Sequence, residues 1–599
     1  MSGAPPLIVY PDCPIPTDPG AATVRDTVNA IISEAVSAAI ADGRLPLAEP
    51  PAVHVERPRD PSHGDWATNV ALVSAKAAGM SPREIAEVIA GELRVRLAGV
   101  AEAVEIAGPG FINIRLARDV VADVVTRVRE EGDAFGAGEA TGRRVQVEFV
   151  SANPVGPMHV GHGRWAALGD SIARILAFAG DEVQREFYVN DAGVQMDIFA
   201  ASVSARYLEL CGRQVEFPED GYRGAYIAEI AREILEAEGE RWADAPAVER
   251  ETHFREQAYT AVLAHLERVL HGMGVDFDVW FSERTLHASG DDGVSAIERG
   301  IGRLREAGYL YEQDGALWFR STDFGDDKDR VLKKADGSYT YFAADIAYHA
   351  DKFDRGFDLV IDIWGADHHG YVKRMESAVA ALGHPGKLEV IIGQLVNLFR
   401  NGEVVRMSKR TGEMVTFEDL LDEVGTDAAR YFFLRRSTDQ PVDFDIALAK
   451  ERSADNPVYY VQYAHARICS ILRKASGADT ADESVDVAAV AAGIVAGTDE
   501  LALLGCEPDT LAGDAELGLL RKLAEFPEIV ALTARQRAPH KLTTYAEDLA
   551  SAFHQFYTHC QVVVDDARLR SARLALADAS RIVLARALGL LGVSAPQRM

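Results

Sequence analysis

The run of residues 147–162, Val-Glu-Phe-Val-Ser-Ala-Asn-Pro-Val-Gly-Pro-Met-His-Val-Gly-His, is compatible with few folds. Residues 144–150 have the apolar character and length of a short buried strand, Asn153, Pro154, Gly156 and Pro157 break it, and residues 161–179 carry apolar side chains at helical spacing. Strand, tight turn and helix in that order open a parallel α/β sheet, and they deliver His159 and His162 to the amino end of the helix. Unpaired N–H groups and the positive end of the helix dipole suit a polyphosphate there. Small Gly161 should let a flat base or sugar approach, and two imidazoles can donate to phosphoryl oxygens as charge builds on them.

A chain of 599 residues should hold three or four domains. Its net charge of −30 counts against broad contact with nucleic acid and leaves local basic patches as the only route to it. Cys13, Cys211, Cys469, Cys506 and Cys560 are far apart and form no Cys-x-x-Cys pair, so reduced thiols and no zinc site are expected. The first residues lack a basic start and a long apolar run, which predicts neither signal peptide nor membrane span, and a cytoplasmic protein.

In chain order, residues 1–20 carry six prolines and read as an unstructured lead. Helices at 24–40, 68–78 and 82–98 with strands at 52–55, 104–106 and 111–114 make an α+β unit over 21–117. A helix over 119–131 and a Gly-rich stretch at 132–142 lead into the 144–150 strand, with a parallel partner at 182–188. Charged helices over 222–274, part of an insertion at about 200–300, read as separating two halves of a nucleotide-binding sheet. The second half resumes with a strand at 316–319, then 339–345, then the strand 359–364, which runs into Gly365-Ala366-Asp367-His368-His369-Gly370. Polar residues just past a buried strand mark the ligand side of an open α/β sheet, where Asp367 could take ribose hydroxyls. The adjacent His368 and His369 lack a third ligand at metal spacing, so no metal is assigned. A strand at 390–398 precedes Arg406-Met407-Ser408-Lys409-Arg410-Thr411-Gly412, a basic loop suited to holding a leaving pyrophosphate, and then a helix from Glu418. From 451 to 599 the pattern is helical, apart from an acidic Ala-rich segment at 477–516.

His159-Val160-Gly161-His162 together with Arg406-Met407-Ser408-Lys409-Arg410 resembles the paired signature of class I aminoacyl-tRNA synthetases, and the text between them resembles the arginyl-tRNA synthetase family. The supporting stretches are Phe149 to Pro154, Tyr188 to Gly193, Gly325 to Arg330, Tyr341 to His349, Asn456 to Arg467 and the ending from Leu590. The resemblance implies a multidomain α/β protein. A Rossmann-type nucleotide-binding catalytic domain (118–450) would lie between an N-terminal α+β domain that reaches the tRNA D-loop and a C-terminal all-α anticodon-binding domain (451–599). It implies His159, His162 and Lys409 as catalytic, with ATP on Gly161, Gly365, Asp367, His368, Met407, Ser408 and Lys409. Arginine would be held by Glu148, Ser151, Asn153, His159, Tyr341 and Asp345. ATP is then a substrate carried with Mg²⁺, the partners are arginine and its tRNA, a monomer is expected, and activation of the amino acid should require bound tRNA.

The residue types agree with that reading, because a pocket for a guanidinium needs carboxylates. Two departures from the family pattern are Arg406, where the class signature has lysine, and Gly156, where some members carry a lysine in place of an absent loop lysine. Arg521, Lys522, Arg535, Arg537, Lys541, Arg568 and Arg570 could supply local positive charge, and Tyr545, Phe556 and Tyr557 either stack on anticodon bases or pack in the core. A nucleotidylyltransferase would also use His-x-Gly-His but would not need the long helical C-terminal region. A non-catalytic RNA-binding relative would have no use for His159, His162 and Lys409 together.

Overall fold

A computed structural model describes residues 24–58, 60–405, 415–475 and 510–599. The Pro-rich lead, the basic loop with Arg406, Met407, Ser408 and Lys409, and most of the acidic segment fall outside those residues.

The N-terminal unit comprises α1 (Val24–Ala41), β1 (Val55–Glu56), β2 (Trp66–Thr68), α2 (Val70–Ala78), α3 (Pro82–Arg96), β3 (Ala101–Ala107) and β4 (Phe111–Leu116). Its antiparallel sheet has the order β1-β2-β4-β3. α3 starts where the sequence requires, because Ser81 and Glu84 form a capping box and Pro82 opens the helix.

α4 (Arg118–Glu131) leads into β5 (Arg144–Glu148), α5 (Val160–Phe178) and β6 (Glu182–Val189). Three helices, α6 (Val194–Leu210), α7 (Ala225–Glu238) and α8 (Ala247–Gly272), then cross over to β7 (Val279–Ser282). After α9 (Arg284–His287), α10 (Ala296–Glu306) and an antiparallel sheet of β8 (Leu310–Gln313), β9 (Ala316–Phe319) and β10 (Arg330–Lys333), α11 (Tyr341–Asp354) returns the chain to β11 (Leu359–Gly365). α12 (Val372–Ala381) and β12 (Leu388–Gly393) follow. The order β12-β11-β5-β6-β7 is parallel throughout. The chain winds outward from β5 to β7 and then restarts beside β5 at β11, so the switch point lies between β5 and β11.

Three readings change. The helical insertion lies inside the first half of the sheet, because β7 follows it and pairs with β6. The strand at 316–319 belongs to the separate antiparallel sheet β10-β9-β8 and not to the second half of the parallel sheet. The apolar run at 390–398 is two strands, β12 and β13 (Val396–Arg400), broken at Gln394 and Leu395.

β14 (Glu403–Val404), α13 (Phe417–Val424), α14 (Thr426–Leu434), β15 (Val442–Asp445) and α15 (Ile446–Lys450) lead to the C-terminal helices. These are α16 (Pro457–Ala475), α17 (Asp514–Ala524), α18 (Phe526–Gln536), α19 (His540–His559) and α20 (Ala567–Leu590). No described helix is long and apolar enough to cross a membrane. One apolar core runs from Val28 through β5 and α5 to Val593. At its centre the fully buried Arg430 of α14 donates to Asp170 of α5 (2.5 Å), to Met273 O (3.1 Å) and to Leu591 O (3.0 Å), while Ser171 donates to Leu590 O (3.0 Å). A buried arginine is tolerable only when its donors are met in this way. A fragment ending near Lys450 would strip the Leu591 carbonyl from Arg430 and the Leu590 carbonyl from Ser171, so the full chain is the proper object for functional tests.

The same packing uses cations that the sequence suggested for RNA. Arg521 pairs with Asp65 (2.8 Å) of the N-terminal unit, Lys522 with Glu525 (2.9 Å), and Arg537 with Glu389 (3.2 Å). Tyr545 and Phe556 are core residues, whereas Tyr557 is exposed, with Arg467 over its ring at 5.1 Å.

Candidate active site

β5 and β11 end side by side, and several of the described candidate residues lie on the segments that follow those ends. Beyond Glu148 the chain turns through Val150 and Ser151, both at positive φ (69° and 40°). It passes the exposed Asn153, whose Nδ2 donates to Gln195 Oε1 (2.9 Å), and enters α5 with His159 as N-cap. The His159 and His162 rings stack 3.7 Å apart at 20°, and the His159 N–H donates to His162 Nδ1 (3.3 Å). Accepting at Nδ1 puts the proton of neutral His162 on Nε2, the atom that then serves as donor.

Trp165 stands edge-on to both imidazoles (5.9 and 5.2 Å) and fills the space that a Cβ would need at Gly365 and Gly393, which lets β11 and β12 end close to α5. Gly161 also makes room within the turn itself. A Cβ there would lie 2.8 Å from His159 Cε1, so the glycine makes room for the imidazole. At Gly156 a Cβ would meet the Tyr226 hydroxyl at 2.7 Å, leaving no place for the lysine that some family members carry. Just past the basic loop, Thr416 bridges to His159 and the Phe417 N–H donates to Met158 O (2.9 Å), so the described base of that loop is stitched to the histidine turn. On the β11 side Asp367 and His368 are exposed, 3.5 Å apart, with the Asp367 carboxylate folded back against Gly365.

Between the ends of β5, β6 and β7 and the start of α11 lies an acidic cluster. Tyr188 is half-buried there and faced by Glu283, Asp345, Glu148 and Asp191; burial first, and then those charges, push its hydroxyl far above the ordinary phenol range. Asp345 and the exposed Tyr341 stand one helical turn apart on α11. Burial raises the Asp345 carboxyl, although the Tyr371 hydroxyl donates to it and pulls the other way.

Glu148 is occupied on both oxygens: Oε2 accepts from Lys352 Nζ (2.5 Å) and Oε1 from Ser151 Oγ (3.0 Å). Lys352, fully buried, also donates to Asp362 Oδ1 (2.9 Å), whose Oδ2 meets His349 Nε2 (2.9 Å). Burial would raise the Asp362 carboxyl, but Lys352 and His349 overcome it and hold the group at about 2.

Sequence reasoning missed Glu283. It follows β7 directly, is buried, and its Oε2 has no hydrogen-bond partner, while Oε1 has only His287 at 3.5 Å. Burial raises its carboxyl against the pull of His287, and Asp345 and Asp191 add to the rise. A buried carboxylate oxygen without a donor is costly, and a bound cation would relieve it. The available signal was an acidic residue immediately after Val279-Trp280-Phe281-Ser282, the same strand-end pattern that picks out Asp367.

Residues 125–445 match the model of the catalytic domain of class I (R) tRNA synthetases, which sets the class for this sheet and its histidine turn. Residues 26–116 match the arginyl tRNA synthetase N terminal domain and residues 461–599 the DALR anticodon binding domain. An arginine–tRNA ligase of Heliobacterium modesticaldum is 48% identical over 96% of this chain and 99% of its own, and one of Carboxydothermus hydrogenoformans is 49% identical over 94% and 97%. Crystallographic relatives from Thermus thermophilus (TM-score 0.70, 23% identity, 96% of this chain and 100% of that one) and Plasmodium falciparum (TM-score 0.72, 18% identity, 97% and 100%) share the fold. The chain belongs to the arginyl-tRNA synthetase family, and with that membership comes ATP-dependent ligation of arginine to tRNA.

Proposed function

We propose that the chain activates arginine at the β5–β11 switch point and then transfers it to the 3′-terminal adenosine of its tRNA. The observation that carries this reading is the stacked imidazole pair at the start of α5, beside a half-buried acidic cluster. Arginine lies with its guanidinium toward Asp345 and Glu283, flanked by Tyr341, and its head group toward Ser151 and Asn153. Glu148, which shares the single charge of Lys352 with Asp362, lies behind them and holds the turn through Ser151. The ATP ribose and base lie toward Gly365, Asp367 and His368, with Gly161, Met407 and Ser408 completing the nucleotide site. The arginine carboxylate attacks the α-phosphorus and the bond to pyrophosphate breaks. His159, His162 and Lys409 stabilise the charge that builds on the departing oxygens, and Mg²⁺ accompanies ATP. The domains are 21–117 for the tRNA elbow, 118–450 for catalysis and 451–599 for the anticodon, in a cytoplasmic monomer. The exposed Tyr557, with the half-buried Arg467 over its ring, favours base stacking by the last of these.

Arginine-dependent exchange of pyrophosphate into ATP tests the reaction. The expected result is strong exchange with tRNA and little without it, and arginine-independent exchange would overturn the assignment. The tRNA requirement has a physical route, since the helices that would hold tRNA share a core with α5 through Asp170, Arg430 and Leu591. A bound RNA can favour the active arrangement only by binding it better than the resting one.

Proton release offers a second test. Because burial raises the Asp345 and Glu283 carboxyls, a bound guanidinium should lower both. Arginine affinity is therefore expected to fall with decreasing pH, starting above the ordinary carboxylate range, with protons released on binding. Calorimetry in buffers of different ionisation enthalpy measures that release, and equal heats in all of them would remove these carboxyls from the pocket.

A further inference from the structure

We propose that Lys352 is a positioning residue for the activation step. Its buried ammonium, clamped between Glu148 and Asp362, locks the chain of hydrogen bonds that holds the turn carrying Asn153, His159 and His162. The inference rests on the site proposed above.

The turn needs holding. Val150 and Ser151 both occupy the left-handed region, and for a β-branched residue such as Val150 that conformation is a genuine outlier, which persists only where surroundings over-determine it. One hydrogen-bonded chain supplies that constraint. Ser151 Oγ accepts from the Tyr188 N–H (3.1 Å), which anchors the turn to the end of β6, and donates to Glu148 Oε1 (3.0 Å). Glu148 Oε2 accepts from Lys352 Nζ (2.5 Å), and Lys352 donates to Asp362 Oδ1 (2.9 Å) on β11. The chain therefore ties together β6, β5, α11 and β11, four of the elements that form the site. His349 completes it, with Nε2 on Asp362 (2.9 Å) and Nδ1 on Asp345 O (2.8 Å), so the backbone of a proposed arginine ligand is fixed by the same network. Lys352 is fully buried and lies beneath the turn, with its ammonium 4.2 Å from the Tyr348 ring centroid, so its effect is transmitted through Glu148 and not by contact with substrate.

The test is pyrophosphate exchange by the full chain with arginine, ATP and tRNA, with kcat and both KM values measured separately. Lys352→Met should lower kcat about 10²-fold with little change in the KM for arginine, and Ser151→Ala, which cuts the same chain at a residue that also faces the arginine head group, should lower kcat about tenfold and raise that KM. Because both act through one chain, Lys352→Met/Ser151→Ala should be no slower than Lys352→Met within about threefold. Lys352→Arg should regain most of the loss. Multiplying losses in the double variant, or a folded Lys352→Met with kcat within about threefold of the parent, would overturn the proposal. If Lys352→Met fails to fold, Ser151→Ala decides, since an unchanged kcat there breaks the chain. His162→Ala separates the two levels: if it too keeps the parent rate, the proposed site itself is at fault; if it is slow while Lys352→Met is fast, only the positioning role fails.

Discussion

His162→Ala is expected to slow the activation step by about 10²–10³-fold, the usual loss when one preorganised donor to a developing negative charge is removed. The geometry says why this histidine should be costly to lose. Its Nδ1 is occupied by the His159 N–H, which fixes the tautomer and leaves Nε2–H as the donor. The ring is held on one side by stacking on His159 and on another by the edge of Trp165, so little reorganisation is needed when charge appears. A donor that strengthens only as the bond to pyrophosphate breaks should act on kcat and leave the KM for tRNA nearly unchanged. Single-turnover formation of arginyl-adenylate in the presence of tRNA measures the step directly. A parent-like rate would remove His162 from the chemistry and leave it as a helix cap.

What the sequence made legible was the periodicity. The strand at 144–150, the break, the helix behind it and the partner at 182–188 match β5, α5 and β6 closely, because a buried parallel strand and an amphipathic helix each leave a pattern in the order of residues. Side-chain pairing across elements leaves none. Nothing near residue 148 signals that a lysine more than two hundred positions later pairs with it, and nothing around Arg521 signals Asp65. Tyr341 to Asp345 was hard to place because the stretch is short, aromatic and apolar, features shared by strands and helix starts; only the continuation through Asp354 makes it helical. Glu283 escaped notice for another reason. A carboxylate after a four-residue strand looks like a surface charge until the strand is known to lie at the edge of the site sheet.

Asp345→Asn should weaken arginine binding by about 2–5 kcal/mol, since it leaves a guanidinium facing one fewer charge in a half-buried pocket. That is about 30-fold to a few thousand-fold in Kd. Asparagine keeps an acceptor for the Tyr371 hydroxyl, so the start of α11 should hold its shape and the change should read on charge alone. Glu283→Gln is the necessary companion. Its Oε2 is the carboxylate oxygen of this cluster that is buried and without a donor, so it gains most from a bound cation and should lose comparable affinity when neutralised. ATP affinity should move much less than arginine affinity in either variant, because neither carboxylate is assigned a contact with the nucleotide. Citrulline, which matches arginine in shape but carries no charge, sharpens the measurement: the parent should reject it, and both variants should narrow the gap. Arginine affinity within about threefold of the parent in Asp345→Asn, with a large loss in Glu283→Gln, would move the guanidinium to the β7 side of the cluster. Parent-like affinity in both would mean that these carboxylates serve the fold, and that arginine is recognised elsewhere.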